Sequence, residues 1–359
     1  MKVAIIGTAG IPASYGGFET LAEYLVKYLS KDFEIKVYCS GKKSEENLIE
    51  YNGAILEYIP LNANGVQSIP YDIIATCKAL LYADVLLILG VSGCVFLPFV
   101  RLISKKRILV NIDGLEWKRA KWGKWARKFL KYSEKIAVKM ADVVIADNKV
   151  IQQHVMDSYG KESKLIAYGA DHTNKLPLTD EIENEYPFLR NRYAFKVCRI
   201  EPENNVHVIL EAYTKCSKLN LVIVGNWDNS EYGQGLKLKY KGFKNIYLLD
   251  SIYDQNKLNR IRSNCNLYVH GHSAGGTNPS LVEAMFLGLP ILSFDVNYNR
   301  ETTNKEALYF KDETELIALL CNLENLDLNL VAKNLKRYAD ENYSWDFISN
   351  EYRHLFLDT

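Results

Sequence analysis

The chain has 359 residues, 44 Lys and Arg against 43 Asp and Glu, and 48% hydrophobic residues, which suits two globular domains and excludes a disordered chain. A formal net charge of +1 excludes a basic nucleic-acid coat, so any partner electrostatics must be local. The seven cysteines (Cys39, Cys77, Cys94, Cys198, Cys216, Cys265, Cys321) are odd in number, far apart along the chain and never in a C-x-x-C pair, which argues against a disulfide framework or zinc knuckle and for a reducing compartment.

The first strand is expected to begin at Lys2, leaving no room for a signal peptide and pointing to the cytoplasm. Apolar runs at residues 3–6, 35–38, 54–59, 85–89, 108–112, 143–146 and 165–167 alternate with helical patterns. Strands apolar on both faces predict a doubly wound parallel sheet covered by helices. None of the runs approaches the roughly 20 residues of a membrane-spanning helix. The helix from about Glu19 carries Leu21, Tyr24, Leu25, Tyr28 and Leu29 at i, i+3, i+4, i+7 and i+8, so one face packs on the sheet.

Residues 169–192 turn polar, with Pro177, Pro187 and the carboxylates Asp180, Glu181, Glu183 and Glu185, and predict a linker. A second series follows, with strands at 194–200, 221–224, 246–249, 267–269 and 291–294 and helices at 208–213 and 280–287. Two α/β domains are expected. Residues 1–165 carry 23 basic and 17 acidic side chains against 21 and 26 in 166–359, so the halves differ in electrostatic sign.

The loop after the first strand runs from Gly7 to Glu19. Counted from Gly7, the later glycines of a G-x-G-x-x-G dinucleotide fingerprint fall on Ala9 and Pro12, which weighs against a nicotinamide cofactor. What remains is Gly16-Gly17 at a helix start, either a tight turn or a place where backbone amides approach an anion or sugar oxygen. The richest stretch is 269–285. There Pro279 suits the first helical position and Asn278 the N-cap, so amides from Gly275 through Gly276 and Thr277 can face a pyrophosphate with the helix dipole behind them. Glu283 follows in the second turn, where it either simply favours a helix start or accepts both hydroxyls of a ribose. Its neighbours Leu281, Val282, Ala284 and Met285 make an unpaired carboxylate costly, which favours the ligand role. His270 and His272 read equally as ligands or as structural strand-end residues. No His or carboxylate cluster has metal-ligand spacing.

The order of strand, Gly-Gly loop, linker, R-x-x-P-E-x-N at 199–205, G-G-T-N-P-S-x-x-E-A-M at 275–285 and a closing Tyr343-Ser344-Trp345 resembles glycosyltransferase family 4 over nearly the whole chain. Residues 16–19, 111–119 and 275–283 resemble, more narrowly, its bacterial rhamnosyltransferases of surface polysaccharides. The resemblance implies the GT-B architecture, two Rossmann-like domains facing across a cleft, with a C-terminal helix crossing back to the first. It assigns 1–168 plus 344–359 to the acceptor and 169–343 to the nucleotide sugar. It further implies retaining transfer without metal or other cofactor, of a sugar such as L-rhamnose from dTDP-rhamnose, to a lipid-diphosphate-linked saccharide.

Two positions depart from the family pattern. Gly275 stands where the first of two glutamates eight positions apart is usual, and Asn204 where a Lys follows the arginine by five. The resemblance therefore puts the diphosphate on Arg199, the 275–278 amides and Arg300, with Gly16, Gly17, Glu116, Asn204 and His272 completing the binding set. Asp113 and Glu116 follow the fifth strand at its carboxyl end, where open α/β sheets bind ligands. Asp113 either orients the acceptor hydroxyl or caps the next turn.

Residues 117–132 hold three of the five tryptophans and seven basic side chains with no acid. This composition fits an interfacial helix drawn to anionic lipid, and equally a solvated basic helix with buried Trp. The expected location is the cytoplasmic face of a membrane, with no nucleic acid as partner. A nucleotide-sugar epimerase of the same architecture and a non-catalytic nucleotide-sugar sensor are the alternatives to a transferase.

Overall fold

The computed structural model describes residues 1–13, 16–41, 47–119, 122–216 and 218–358. The chain divides into two compact units, residues 1–168 with 345–359, and residues 169–344.

In the first unit the strands are β1 (Lys2–Ile6), β2 (Glu34–Ser40), β3 (Glu50–Tyr51), β4 (Ala54–Ile59), β5 (Val85–Leu89), β6 (Arg107–Asn111), β7 (Val143–Ala146) and β8 (Lys164–Leu165). Their order is β3-β4-β2-β1-β5-β6-β7-β8, parallel except for β3 against β4. The run of connections reverses between β1 and β5, the switch point where such sheets open a ligand crevice. The two-residue β3 is too short to leave a periodic signal. The helix Gly17–Leu29 buries Leu21, Ala22, Leu25, Val26 and Leu29. The terminal helix Trp345–Leu357 adds Trp345, Ile348, Tyr352, Leu355 and Phe356 to the same core, and Trp345 stacks on Tyr24 with centroids 4.4 Å apart. Each such side chain contributes about 1.5–3 kcal/mol on burial, which holds the last segment of the chain to this unit.

The second unit contains β9 (Tyr193–Val197), β10 (Asn220–Val224), β11 (Ile246–Leu249), β12 (Leu267–His270), β13 (Ile291–Phe294) and β14 (Leu308–Phe310). All pairs are parallel in the order β11-β10-β9-β12-β13-β14, with the switch between β9 and β12. The expected linker is partly structured, which corrects the sequence reading. A helix spans Asp180–Glu185 and a 3₁₀ turn Pro187–Arg190. Asp180, Glu181 and Glu183 lie in the first helical turn, where negative charge complements the dipole, and Ile182 and Leu189 are buried.

Residues 117–132 do not form one helix. A 3₁₀ turn spans Glu116–Lys118 and a separate helix spans Lys124–Met140, while residues 120 and 121, with the basic Lys121, lie outside the described residues. Trp117 Nε1 donates to Glu134 Oε2 at 2.9 Å and Trp122 Nε1 to Glu116 Oε1 at 2.9 Å. Two of the three indoles are thus anchored on carboxylates of the protein, and only Trp125 stands out, 83% exposed. Among the described residues, no helix is long and apolar enough to cross a membrane.

Candidate active site

Because β12 pairs with β9, the loops that follow these strands leave the sheet side by side. They are stitched together. Asn204 Nδ2 donates to the Arg199 carbonyl at 2.9 Å, and Asn204 Oδ1 meets His272 Nδ1 at 3.1 Å. The amide orientation makes Nδ1 the protonated, donating nitrogen of His272. Asn205 Nδ2 donates to the Gly271 carbonyl at 2.8 Å, and the Ser273 N–H donates to the Glu203 carbonyl at 2.8 Å. Asn299 Nδ2 donates to the His272 carbonyl at 2.8 Å. A Cβ at Gly271 would lie 2.3 Å from the Asn204 carbonyl oxygen, so this approach admits only glycine. Asn204 and His272, expected to touch substrate, are both buried and occupied in joining the two loops.

The His272 loop continues into residues 275–278. Gly275 adopts φ +100°, a conformation that a glutamate at this position would take only with strain. Asn278 caps the helix Pro279–Phe286, its Oδ1 accepting from Ser280 N at 3.1 Å and Ser280 Oγ at 2.8 Å. Since the cap takes the Ser280 N–H and Pro279 has none, the backbone of loop 275–278 is what stands at this dipole end. Thr277 is buried, with Gly276 beside it half-buried.

Glu283 is not the unpaired carboxylate that the sequence suggested. Its oxygens accept from Arg262 Nη1 and from His172 Nε2 at 3.0 Å. Burial pushes the Glu283 carboxyl up, but the Arg262 charge and the His172 hydrogen bond outweigh it and hold it down to about 2. Arg262 Nη2 donates in turn to Asn259 Oδ1 at 2.7 Å. Neither Arg262 nor His172 was legible as a site residue. Arg262 sits in the polar-looking helix Gln255–Ser263, and nothing in its local pattern marks a side chain that ends 1% exposed. A carboxylate with two donors keeps acceptor capacity for hydroxyls.

Arg199 follows β9 with its Nε 3.7 Å from Glu201 Oε2 and about a third of its side chain exposed. Arg300 differs from its expected role. Its Nε and Nη2 are held by Asp295 at 2.5 and 2.9 Å, and its guanidinium lies 4.2 Å from the Tyr309 ring centroid, so its planar fork is already engaged.

In the first unit, Gly16 is the N-cap of the helix that Gly17 begins. Glu19 Oε1 accepts from Ala9 N at 2.7 Å and Thr8 Oγ1 at 3.2 Å, so a side chain of that helix's first turn ties down the loop before it. Asp113 takes φ +62°, its N–H donating to Asn111 Oδ1 at 3.1 Å, and Asn111 Nδ2 donates to Tyr352 Oη at 3.1 Å. Glu116, expected to bind substrate, is engaged at both oxygens, by Trp122 and by Arg119 Nε at 2.8 Å. The Asp113 carboxylate lies 4.0 Å from Arg119. A further group near this switch point went unnoticed in the sequence. Asp72, buried in the helix Ser68–Tyr82, accepts from Gly93 N at 3.1 Å, and burial pushes its carboxyl up to about 8 against the lowering effect of that bond. His270 is buried with neither ring nitrogen hydrogen-bonded, and burial, followed by Lys196 and His272, drives its pKa well down, so it is neutral. Among the described residues, no group of three or more His, Cys, Asp or Glu gathers to hold a metal.

The fold is GT-B. Sucrose-phosphate synthase from Thermosynechococcus elongatus matches with a TM-score of 0.81 at 15% identity, and Anabaena HepE in complex with UDP-glucose with 0.77 at 14%, each over 100% of both chains. Residues 179–339 match the family model described as glycosyl transferases group 1, and residues 1–171 match a domain of unknown function, DUF1972. The chain is a glycosyltransferase. An uncharacterised glycosyltransferase of Methanocaldococcus jannaschii, MJ1069, is 24% identical to it over 95% of this chain and 94% of the relative.

Proposed function

We propose that this enzyme moves a sugar from a nucleotide diphosphate donor, bound by the second unit, to a lipid-diphosphate-linked saccharide handled by the first, with retention of anomeric configuration. The observation that carries the reading is the loop 275–278, set by Gly275 at φ +100° and backed by the Asn278-capped helix, hydrogen-bonded to the loop that bears Arg199. Amides and a guanidinium at one switch point are the donor set a diphosphate requires. HepE, a neighbour in fold, binds UDP-glucose. Glu283 is assigned to the ribose hydroxyls and Asp113 to the acceptor hydroxyl.

The chemistry follows from these groups without a metal. As the sugar–phosphate C–O bond breaks, charge developing on the diphosphate is stabilised by Arg199 and the 275–278 amides. The acceptor oxygen attacks from the same face and its proton passes to the departing phosphate oxygen. L-rhamnose from dTDP-rhamnose is the preferred donor, on the resemblance of residues 16–19 and 111–119 to rhamnosyltransferases of surface polysaccharides.

The lipid acceptor places the enzyme on the cytoplasmic face of a membrane. Support comes from the helix Leu97–Ile103, which packs against Lys124–Met140 and leaves Phe99, Leu102 and Ile103 exposed by 62, 81 and 76%, and from Trp125 in the first turn of Lys124–Met140, 83% exposed. Lys124, Lys128 and Lys131 are also exposed, the combination that anionic headgroups attract. The test is a panel of nucleotide sugars with a synthetic lipid diphosphate sugar, reading nucleotide diphosphate release and glycosylated lipid. Lipid product from dTDP-rhamnose is expected. Transfer from another donor only would replace the sugar assignment, and donor isomerisation without lipid product would overturn the transferase reading.

A further inference from the structure

We propose that Cys216 and Cys321 are a redox-modifiable pair that closes to a reversible disulfide inside the second unit. Cys216 is the C-cap of the helix Val206–Lys215, and Cys321 is the last residue of the helix Glu313–Cys321. The two helices pack together, with Ile209, Leu210, Tyr213, Leu316 and Leu320 in one core. At their ends the Cys321 and Cys216 sulfurs lie 2.9 Å apart, both as free thiols. An S–S bond is about 2.05 Å long, so the two sulfurs have less than an ångström left to close. Lys218 Nζ, donating to the Cys321 carbonyl at 2.7 Å, fastens the chain after Cys216 to the same helix end. The partners stand 105 positions apart, beyond the reach of any local spacing rule.

Cys321 is exposed and Cys216 buried, which orders the chemistry. The Cys321 thiolate attacks a small-molecule disulfide such as oxidised glutathione, forming a mixed disulfide and releasing one glutathione thiolate. The Cys216 thiol gives up its proton, its sulfur attacks Cys321 Sγ, and the second glutathione leaves. Two protein thiols lose two electrons and two protons, and one glutathione disulfide becomes two thiols. The new bond joins the far end of the helix that begins next to Asn204 and Asn205.

The full-length protein, incubated with oxidised glutathione, alkylated and digested without reductant, should yield one cross-linked peptide pair containing Cys216 and Cys321. Dithiothreitol should return both thiols. Closing so long a loop should raise the melting temperature on the order of 5–10 °C. Cys216→Ser should instead accumulate a glutathione adduct on Cys321, and Cys321→Ser should give neither cross-link nor shift, while both variants when reduced keep the wild-type circular dichroism. Wild-type protein that stops at the Cys321 adduct, or keeps both thiols alkylatable, would overturn the proposal. Peptide mapping of the wild type decides the matter even if a variant fails to fold.

Discussion

The guanidinium of Arg262, 1% exposed, donates to the carboxylate of Glu283 and so ties the helix Gln255–Ser263 to the helix Pro279–Phe286. Removing one partner of such a buried pair leaves an uncompensated charge, typically at a cost of about 3–5 kcal/mol. Arg262→Met should therefore lower the melting temperature of the second unit by roughly 6–15 °C. The pH dependence adds a second readout. The Glu283 carboxyl sits at about 2 in the fold against an ordinary value of 4.5, so the stability it contributes is present above about pH 4.5 and is lost as pH falls through about 2. That contribution is about 3 kcal/mol. Chemical denaturation between pH 2 and 6 should show it in the wild type and not in Arg262→Met.

Asp72 behaves oppositely. Its carboxyl is raised to about 8 from 3.8, so its contribution is complete below about pH 4 and is lost as pH rises through about 8. Asp72→Asn keeps an acceptor for the Gly93 N–H but cannot ionise. The variant should match or fall slightly below the wild type at about pH 3.5 and exceed it at pH 9 by roughly 5 kcal/mol, in urea denaturation. Parallel curves would show that Asp72 ionises freely.

The loop stitching at the second switch point makes a prediction about binding. Asn204→Ala removes the bonds to the Arg199 carbonyl and to His272, at about 1–2 kcal/mol of ordering. Calorimetric affinity for UDP or dTDP should fall about 5- to 30-fold while the far-ultraviolet circular dichroism is unchanged. Gly271→Ala, whose Cβ would meet the Asn204 carbonyl at 2.3 Å, should instead destabilise the unit by about 1–3 kcal/mol and weaken the same binding.

Exposure separates surface function from stability at the exposed apolar side chains of the first unit. Leu102→Ser and Trp125→Ala alter side chains that are 81 and 83% exposed, so each melting temperature should stay within about 2 °C of wild type. Co-sedimentation with phosphatidylglycerol vesicles should drop about 10-fold or more in the double variant, because about 3 kcal/mol of apolar insertion is lost. Unchanged sedimentation would remove the membrane from the proposed function.

Most of the second unit's scaffold was written in local pattern. The runs at 246–249 and 291–294 coincide with β11 and β13, and Asn278 and Pro279 take the cap and first helical positions that their chemistry dictates. The carboxylates of 180–185 misled because an acid-rich stretch reads as linker unless its apolar members, Ile182 and Leu189, are known to be buried. The tryptophans of 117–132 read equally as lipid-facing or buried, since Glu134, the partner of Trp117, lies 17 residues on.

The alternation of strands and helices, the amide-rich bend at 275–278 and its capped helix are legible in the residues, because they rest on periodicity, glycine and capping, which act over a few residues. Which charges meet is settled by the folded arrangement. Glu283 with Arg262 and His172, Arg300 with Asp295, Asp72 beneath Gly93 and Cys216 against Cys321 are set by how strands are ordered and helices packed. A side chain's protonation and availability depend on neighbours that the chain brings together across 5 to 111 positions, and no local rule contains them.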